Sequence, residues 1–226
     1  MSVSAEAETR DRLLAAAERL FGERGFRNVT VREICRAAAA NVAGVNYHFG
    51  DKLGLYREVL QSAIDVMRET TEIARQAGEG QPPEEQLRQF ITIFLRRLLT
   101  PGHESIQRLI HWELQDPTPA LDAIVDQAIR PRMAYLAGVV ARMIDCDPSD
   151  EAVLRTVASI QTQAHSYLPN PLVAHRDIKA KLGFRFEPTP AGIDAVARHI
   201  TTFSVAGVQA IGRSLRTPAR THRRSV

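Results

Sequence analysis

The stretch that decides the fold runs Thr30-Val-Arg-Glu-Ile-Cys-Arg-Ala-Ala-Ala-Ala-Asn-Val-Ala-Gly-Val-Asn-Tyr-His-Phe-Gly-Asp-Lys52. It reads as two short helices with a stop or start signal at every boundary. Thr30 followed three residues later by Glu33 is a capping box, in which each side chain satisfies an amide that the helix start leaves without a partner. Asn41 is a strong N-cap for a second segment, Val42–Phe49. Gly50 ends that segment and Asp51 caps the next helix. A turn of about four residues separates the two short helices, which is the spacing of a helix-turn-helix.

Working outward, the segment before Thr30 predicts a supporting helix from about Thr9 to Gly25. Its apolar residues Leu13, Leu14, Ala17, Leu20 and Phe21 fall at three-to-four spacing. The segment after Gly50 predicts a long connector helix to about Gln76, with Leu55, Tyr56, Val59, Leu60, Ala63 and Met67 along one side. Ile34, Ala38, Val45 and Phe49 are then placed to meet Phe21 and Leu14 in one small core. What remains is an exposed face of Val42, Ala43, Gly44, Asn46, Tyr47 and His48. Small residues let a helix approach base edges, Asn46 can pair with adenine, and Tyr and His supply donors to phosphate or base.

The rest of the chain also reads as helix. Gly78–Pro83 is the clearest break. Helices are expected over Glu84–Leu99 and Glu104–Gln115, then from Pro119 to Ile144 with a kink at Pro131. One more follows Asp147-Pro-Ser149 to about Tyr167, and a last runs from Pro190 to about Arg213. Leu168–Pro190 is expected to be irregular, with one short helical turn. No period-two run of β-branched residues suggests a strand. The fold class is therefore all-α, with an N-terminal three-helix helix-turn-helix domain at residues 1–52. A C-terminal helical bundle is expected at 53–212, and a basic, disordered tail at 213–226 completes the chain.

Composition limits the functional classes. Hydrophobic residues make up 44% of the 226, enough for real cores. No stretch approaches the roughly 18 consecutive apolar residues of a membrane span, and Met1–Asp11 lacks the apolar core of a secretory signal. A cytoplasmic protein without a membrane partner is expected. Cys35 and Cys146 belong to no Cys-x-x-Cys pair and read as reduced core thiols. The net charge of +3 is misleading, because Arg213, Arg216, Arg220, Arg223 and Arg224 cluster at the end without an acid among them. The remainder carries 24 basic residues against 26 acidic ones, so a nucleic-acid role has to rest on local structure, not on overall charge.

Residues 10–56 resemble the DNA-binding domain of the TetR family of regulators. The resemblance is carried by Thr30–Ile34, by Asn41–Lys52 with its Tyr-His-Phe-Gly-Asp-Lys ending, and by Leu20–Phe26 upstream. It implies double-stranded operator DNA as the partner and assigns contacts to Thr30, Asn41, Val42, Ala43, Gly44, Asn46, Tyr47, His48 and Lys52. Lys52 stands where family members touch a phosphate. One departure is visible: Ala39 and Ala40 occupy the turn where the family places Gly and a β-branched residue. Alanine resists the left-handed conformation, at roughly 1 kcal/mol, so a strained or altered turn is expected. Asp116–Leu121 and Phe203–Gly207 are similar to a subgroup of the family linked to drug-sensitivity genes.

A lone helix-turn-helix reads too few base pairs, and two-fold dimers on palindromes solve this. The expected dimer surface combines Val153, Val157, Ile160 and Ala164 with Val196, Ile200, Phe203, Gly207 and Ile211. The same stripes would also serve as core within one chain. The resemblance implies a small-molecule effector among the central helices. Candidates out of place in a core pattern are Arg108, His111, Trp112, Glu113, Gln161, His165 and Tyr167. Control by a partner protein is the alternative.

An enzyme or an adaptor with a vestigial DNA-binding domain are the rivals from other classes. No Glu-x-x-His pair, His-Glu-x-x-His, Walker loop or Gly-x-Ser-x-Gly occurs, and the histidines lack metal-ligand spacing. No catalytic residue, metal or cofactor is expected.

Overall fold

A computed structural model describes residues 3–100, 104–167, 181, 183 and 186–216, with side chains from residue 6 onward. Ten α-helices are assigned among the described residues, and no strand. They are α1 (Val3–Arg24), α2 (Val31–Ala37), α3 (Val42–Phe49), α4 (Lys52–Ala77), α5 (Pro83–Leu99) and α6 (Glu104–Gln115). They continue with α7 (Leu121–Ile124), a π-helical turn over Val125–Ile129, α8 (Arg130–Ile144), α9 (Glu151–His165) and α10 (Pro190–Arg216). No helix among the described residues is long and apolar enough to cross a membrane.

The helix expected from Pro119 begins only at Leu121, after a turn, and other differences from expectation have physical reasons. The helix α1 begins six residues before Thr9, at Val3, because Ala- and Glu-rich sequence favours helix even before its packed face begins. Pro131 sits beside a widened turn: the Arg130 amide donates to the Val125 carbonyl, five residues back, just before a residue that has no amide to donate. The last helix runs on to Arg216, past Arg213. Expectations for residues 168–180 and for the tail beyond Arg216 lie outside the described residues.

The helices group into two compact units. The first holds α1, α2, α3, α4 as far as Thr70, α6, α7 and the π turn to Pro131. The second holds the end of α4 from Thr71, α5, α8 from Arg132, α9 and α10. Helix α6 belongs with the N-terminal helices because it packs along α1.

The core of the first unit is built by the apolar stripes of α1 and α4. Leu13, Ala17, Phe21, Ile34, Val45, Leu55 and Tyr56 are buried, with Leu14 and Phe49 packed at the edge. Each fully buried Leu, Ile or Phe contributes roughly 1.5–3 kcal/mol. Phe21 and Phe26 flank Tyr56, with ring centroids 4.9 and 4.8 Å from it. Cys35 is buried in this core and burial pushes its thiol pKa up, whereas Cys146 is half-buried; both are free.

In the second unit, α5 supplies Leu87, Phe90, Ile91, Phe94 and Leu95, α8 supplies Leu136, Val139, Val140 and Ile144, and α10 packs along both α5 and α9.

Candidate nucleic-acid interface

Three caps, each closed within three residues, fix the starts of α2, α3 and α4. The Thr30 hydroxyl accepts from the Glu33 amide at 3.3 Å, and the Thr30 amide donates to the Glu33 carboxylate at 2.8 Å. Asn41 Oδ1 accepts from the Gly44 amide at 2.8 Å. Asp51 Oδ1 accepts from the Gly54 amide at 2.7 Å. Arg24 adds an ion pair to Glu33 at 2.9 Å. The Thr30 bonds, then Arg24, hold the Glu33 carboxyl down to about 2.

The α2–α3 turn keeps a left-handed residue without the glycine. Ala39 has φ +50°, the Ala40 amide bonds back to the Cys35 carbonyl at 2.9 Å, and the Ala39 amide approaches the Arg36 carbonyl at 3.4 Å. This is the Schellman pattern, with alanine carrying the strain at its C′ position.

Helix α3 is anchored by Val45, with Phe49 packed at the edge of the core. Val45 is buried, while Val42, Ala43, Asn46 and Tyr47 are exposed, Tyr47 to 74%. Gly44 and His48 are half-exposed, and the His48 ring meets Tyr47 edge-on at 4.9 Å. Thr30 and Asn41 are exposed at the two N-termini. Gly50 ends α3 at φ +78°, and Gly54 then lets α4 pass the end of α3: a Cβ there would overlap the Phe49 carbonyl oxygen. Lys52 is half-buried, with Nζ 4.2 Å from the centre of the Phe26 ring. Desolvation lowers its pKa and nearby Glu33 opposes that shift. All nine predicted positions thus lie on α3 or at the helix starts around it.

Two further groups escaped the sequence reading. Arg32 and Arg36 are exposed one turn apart on α2. Their spacing opposite Ile34, Cys35 and Ala38 was the available signal.

The predicted effector candidates divide between the units. In the first, Glu113 is fully buried and accepts from Tyr56 Oη at 2.8 Å, Thr118 N at 2.8 Å and Thr118 Oγ1 at 2.9 Å. The burial of Tyr56 and that bond push its pKa up. Trp112 Nε1 donates to the Gly22 carbonyl at 3.2 Å. The three donors on its buried carboxylate tie Glu113 into the fold, and the Trp112 bond ties α6 to α1. Arg108 and His111 each keep one buried ring or guanidinium nitrogen without a partner. In the second unit, Gln161 is buried with both amide atoms unpaired. His165 Nδ1 lies 2.7 Å from the Gln161 carbonyl, and Tyr167 packs edge-on to Phe186 at 5.5 Å.

The residues of the expected dimer surface also divide. Val153, Val157, Ile160, Ala164 and Ile200 are buried in this chain's own core, and Val196 packs partly against it. A stripe of apolar residues at helical spacing does not say which neighbour it faces. Phe203 is 64% exposed, Leu154 is 49% exposed, and nothing lies within 4 Å of where a Gly207 Cβ would stand. Phe203, Gly207 and Ile211 line an open groove between α9 and α10, with Ser159 and the edge of Ile160 opposite.

Comparison with known proteins agrees with this architecture. The family described as "Bacterial regulatory proteins, tetR family" matches residues 13–59, and "HTH-type transcriptional dual regulator CecR, C-terminal domain" matches residues 83–208. The HTH-type transcriptional dual regulator CecR of Shigella flexneri is 32% identical over 170 residues, spanning 71% of this chain and 75% of that protein. The ketosteroid transcriptional regulator KstR2 of Mycobacterium tuberculosis aligns with a TM-score of 0.61 at 19% identity, over 88% of this chain and 93% of that one. AibR, solved with isovaleryl coenzyme A and operator DNA, aligns with a TM-score of 0.62 at 15% identity, over 86% of this chain and 97% of that one. The chain is a DNA-binding transcriptional regulator of the TetR family, with a C-terminal domain of the CecR type.

Proposed function

We propose that the protein is a ligand-responsive repressor, a homodimer that holds a palindromic operator and releases it when a small molecule binds its C-terminal helices. The observation that carries the DNA half of this reading is α3, held to the core by Val45 and the edge of Phe49 while Val42, Ala43, Asn46 and Tyr47 face solvent. A helix so exposed fits the major groove, where Asn46 reads adenine and the small side chains allow close approach. Tyr47, His48, Lys52, Thr30 and Asn41 take phosphates, joined by Arg32 and Arg36, because the first helix of such a motif crosses the backbone. The half-buried Lys52 is held over Phe26, so its ammonium is positioned in advance.

Dimerisation uses the outward face of α9 and α10, with Phe203 as the central anchor and Gly207 admitting a close helix from a second copy. Ligand response is supported by the family and by AibR, which was solved with both a ligand and operator DNA. A ligand releases DNA only through its differential affinity for two states of the protein.

Selection of bound sequences from random DNA tests the DNA half. Two symmetric half-sites are expected, about one helical turn apart or a multiple of it. The double variant Tyr47→Ala/Lys52→Ala is expected to weaken operator binding by roughly 30-fold or more. An asymmetric, degenerate selection, or a double variant that binds like the parent, ends this reading. If operator binding is sound but no compound changes it, control passes to a partner protein.

A further inference from the structure

The second unit contains a group of side chains that neither packing nor DNA binding explains. Arg132 is 8% exposed, with its guanidinium carbon 5.1 Å from the centre of the Phe94 ring. Its Nε has no hydrogen-bond partner, and no carboxylate pairs with it among the described residues. Phe94 stacks on Phe90 with centroids 5.4 Å apart and planes at 15°. His165 meets the Phe94 edge at 5.6 Å, and one turn earlier on α9 stands Gln161, 8% exposed with both amide atoms unpaired. One turn after Arg132, Tyr135 packs against Phe90 at 6.1 Å, its hydroxyl buried without a partner.

A buried charge without a counter-ion is among the most expensive arrangements in a folded chain, and buried amides and hydroxyls are almost always paired. Here Arg132 on Phe94, Tyr135 on Phe90, and Gln161 one turn before His165 on α9 leave four such atoms open. Burial lowers the Arg132 pKa to about 10, which leaves it cationic at neutral pH. Desolvation lowers the His165 pKa from its ordinary value, the bond to the Gln161 carbonyl opposes that shift, and Arg132 adds to it. His165 is exposed as a residue and closes the edge of the cluster, whose rings Phe90 and Phe94 are buried.

We propose that this cluster anchors a small organic anion, a monocarboxylate with an apolar body. Arg132 holds the carboxylate with its forked donors, Gln161 and Tyr135 complete the polar contacts, and the Phe90–Phe94 pair receives the apolar part. A phosphate dianion fits less well, because a single guanidinium on an aromatic floor balances one negative charge. The proposal rests on the ligand-responsive reading above and gives that ligand a chemical class.

The test uses the full-length protein and three matched pairs of probes: benzoate and benzamide, 4-phenylbutyrate and its amide, octanoate and its amide. Calorimetric titration and thermal midpoints read binding, and fluorescence anisotropy of a labelled operator reads release. At least one acid is expected to bind and raise the midpoint, with its amide far weaker. Arg132→Met is expected to weaken the acid by about 30-fold or more, and Gln161→Leu, which keeps the charge, by less. Without ligand, Arg132→Met is expected to melt no lower than the parent, because it removes an unpaired buried charge. The site is overturned if no acid binds, if the amides bind as well as the acids, or if Arg132→Met binds acids unchanged. It is also overturned if Arg132→Met alone destabilises the protein, which would make Arg132 structural. An acid that binds at Arg132 without releasing operator supports the site and defeats the ligand-responsive reading instead.

Discussion

The helix-turn-helix and the Phe90–Phe94 cluster handle polar groups in opposite ways. In the first, Thr30 meets Glu33, Asn41 meets Gly44 and Asp51 meets Gly54, each pair three residues apart and each bond complete within the chain. In the second, Arg132, Tyr135 and Gln161 leave buried atoms without partners. Local closure gives the DNA-reading surface one fixed shape before DNA arrives, while its exposed polar side chains lie on α3. The open polar groups of the second unit leave unsatisfied bonding capacity where a ligand could complete it. The contrast teaches where preorganisation is needed: a reader must hold its geometry alone, whereas a ligand-dependent site gains from being incomplete.

The comparison breaks most severely at Phe94, which touches Phe90, Arg132 and His165 and is 3% exposed. Phe94→Ala is expected to lower stability by about 3–5 kcal/mol, read from urea unfolding. Operator affinity at temperatures where the variant remains folded is expected to persist. If affinity and stability fall in proportion, the cluster also supports the DNA-reading helices and the contrast fails.

Gly54 breaks the other side. A methyl group there meets the Phe49 carbonyl, which is backbone and has little room to move. Gly54→Ala is expected to cost about 3 kcal/mol or slightly less, and to weaken operator binding because the α3–α4 junction shifts. The decisive result is the second one: a destabilised variant with parental DNA affinity would mean that the junction does not aim α3.

Ala39→Gly sharpens the comparison from the opposite direction. It relieves the one left-handed alanine inside the closed region, φ +50°. A gain of about 1 kcal/mol is expected, partly offset by the greater freedom of glycine in the unfolded chain. DNA affinity should stay within twofold or so, because the turn already has the shape that glycine would favour. A loss of stability would show that the backbone here is not held left-handed.

How much of this was legible follows from the range of the interactions. The boundaries of α2, α3 and α6 were readable because caps, stops and the three-to-four stripe all act within a few residues. Ala39 was readable as a strained turn for the same reason. The tie of Glu113 into the fold was not legible: its place on an apolar face is visible in sequence, but its bond to Tyr56 spans 57 positions. Val153, Val157, Ile160 and Ala164 pack into this chain's own core, which the sequence left open because periodicity gives a face and no neighbour. Arg132 was missed although the signal was present. It precedes Leu136, Val139 and Val140 on the buried face of α8, so a cation at an apolar position was there to be seen.

The smallest expected effect lies in the capping box and separates local closure from ordinary surface charge. Glu33 is held at about 2, against an ordinary value of 4.5, by bonds from Thr30 and Arg24. A carboxyl whose folded pKa is depressed adds stability that is complete above its unfolded value. That stability is lost as pH falls through 4.5 toward 2. Glu33→Gln has no such titration, so its deficit relative to the parent is expected to be largest near neutral pH and to shrink steadily below about pH 5. Urea midpoints of both proteins at pH 7 and pH 3.5 measure this. Raising the salt concentration at pH 7 should erode only the attraction to Arg24 and Lys52, because the Thr30 bonds are short-range and insensitive to screening. A deficit independent of pH would mean that Glu33 acts through its shape alone, and one abolished by salt would reduce the capping box to a surface ion pair.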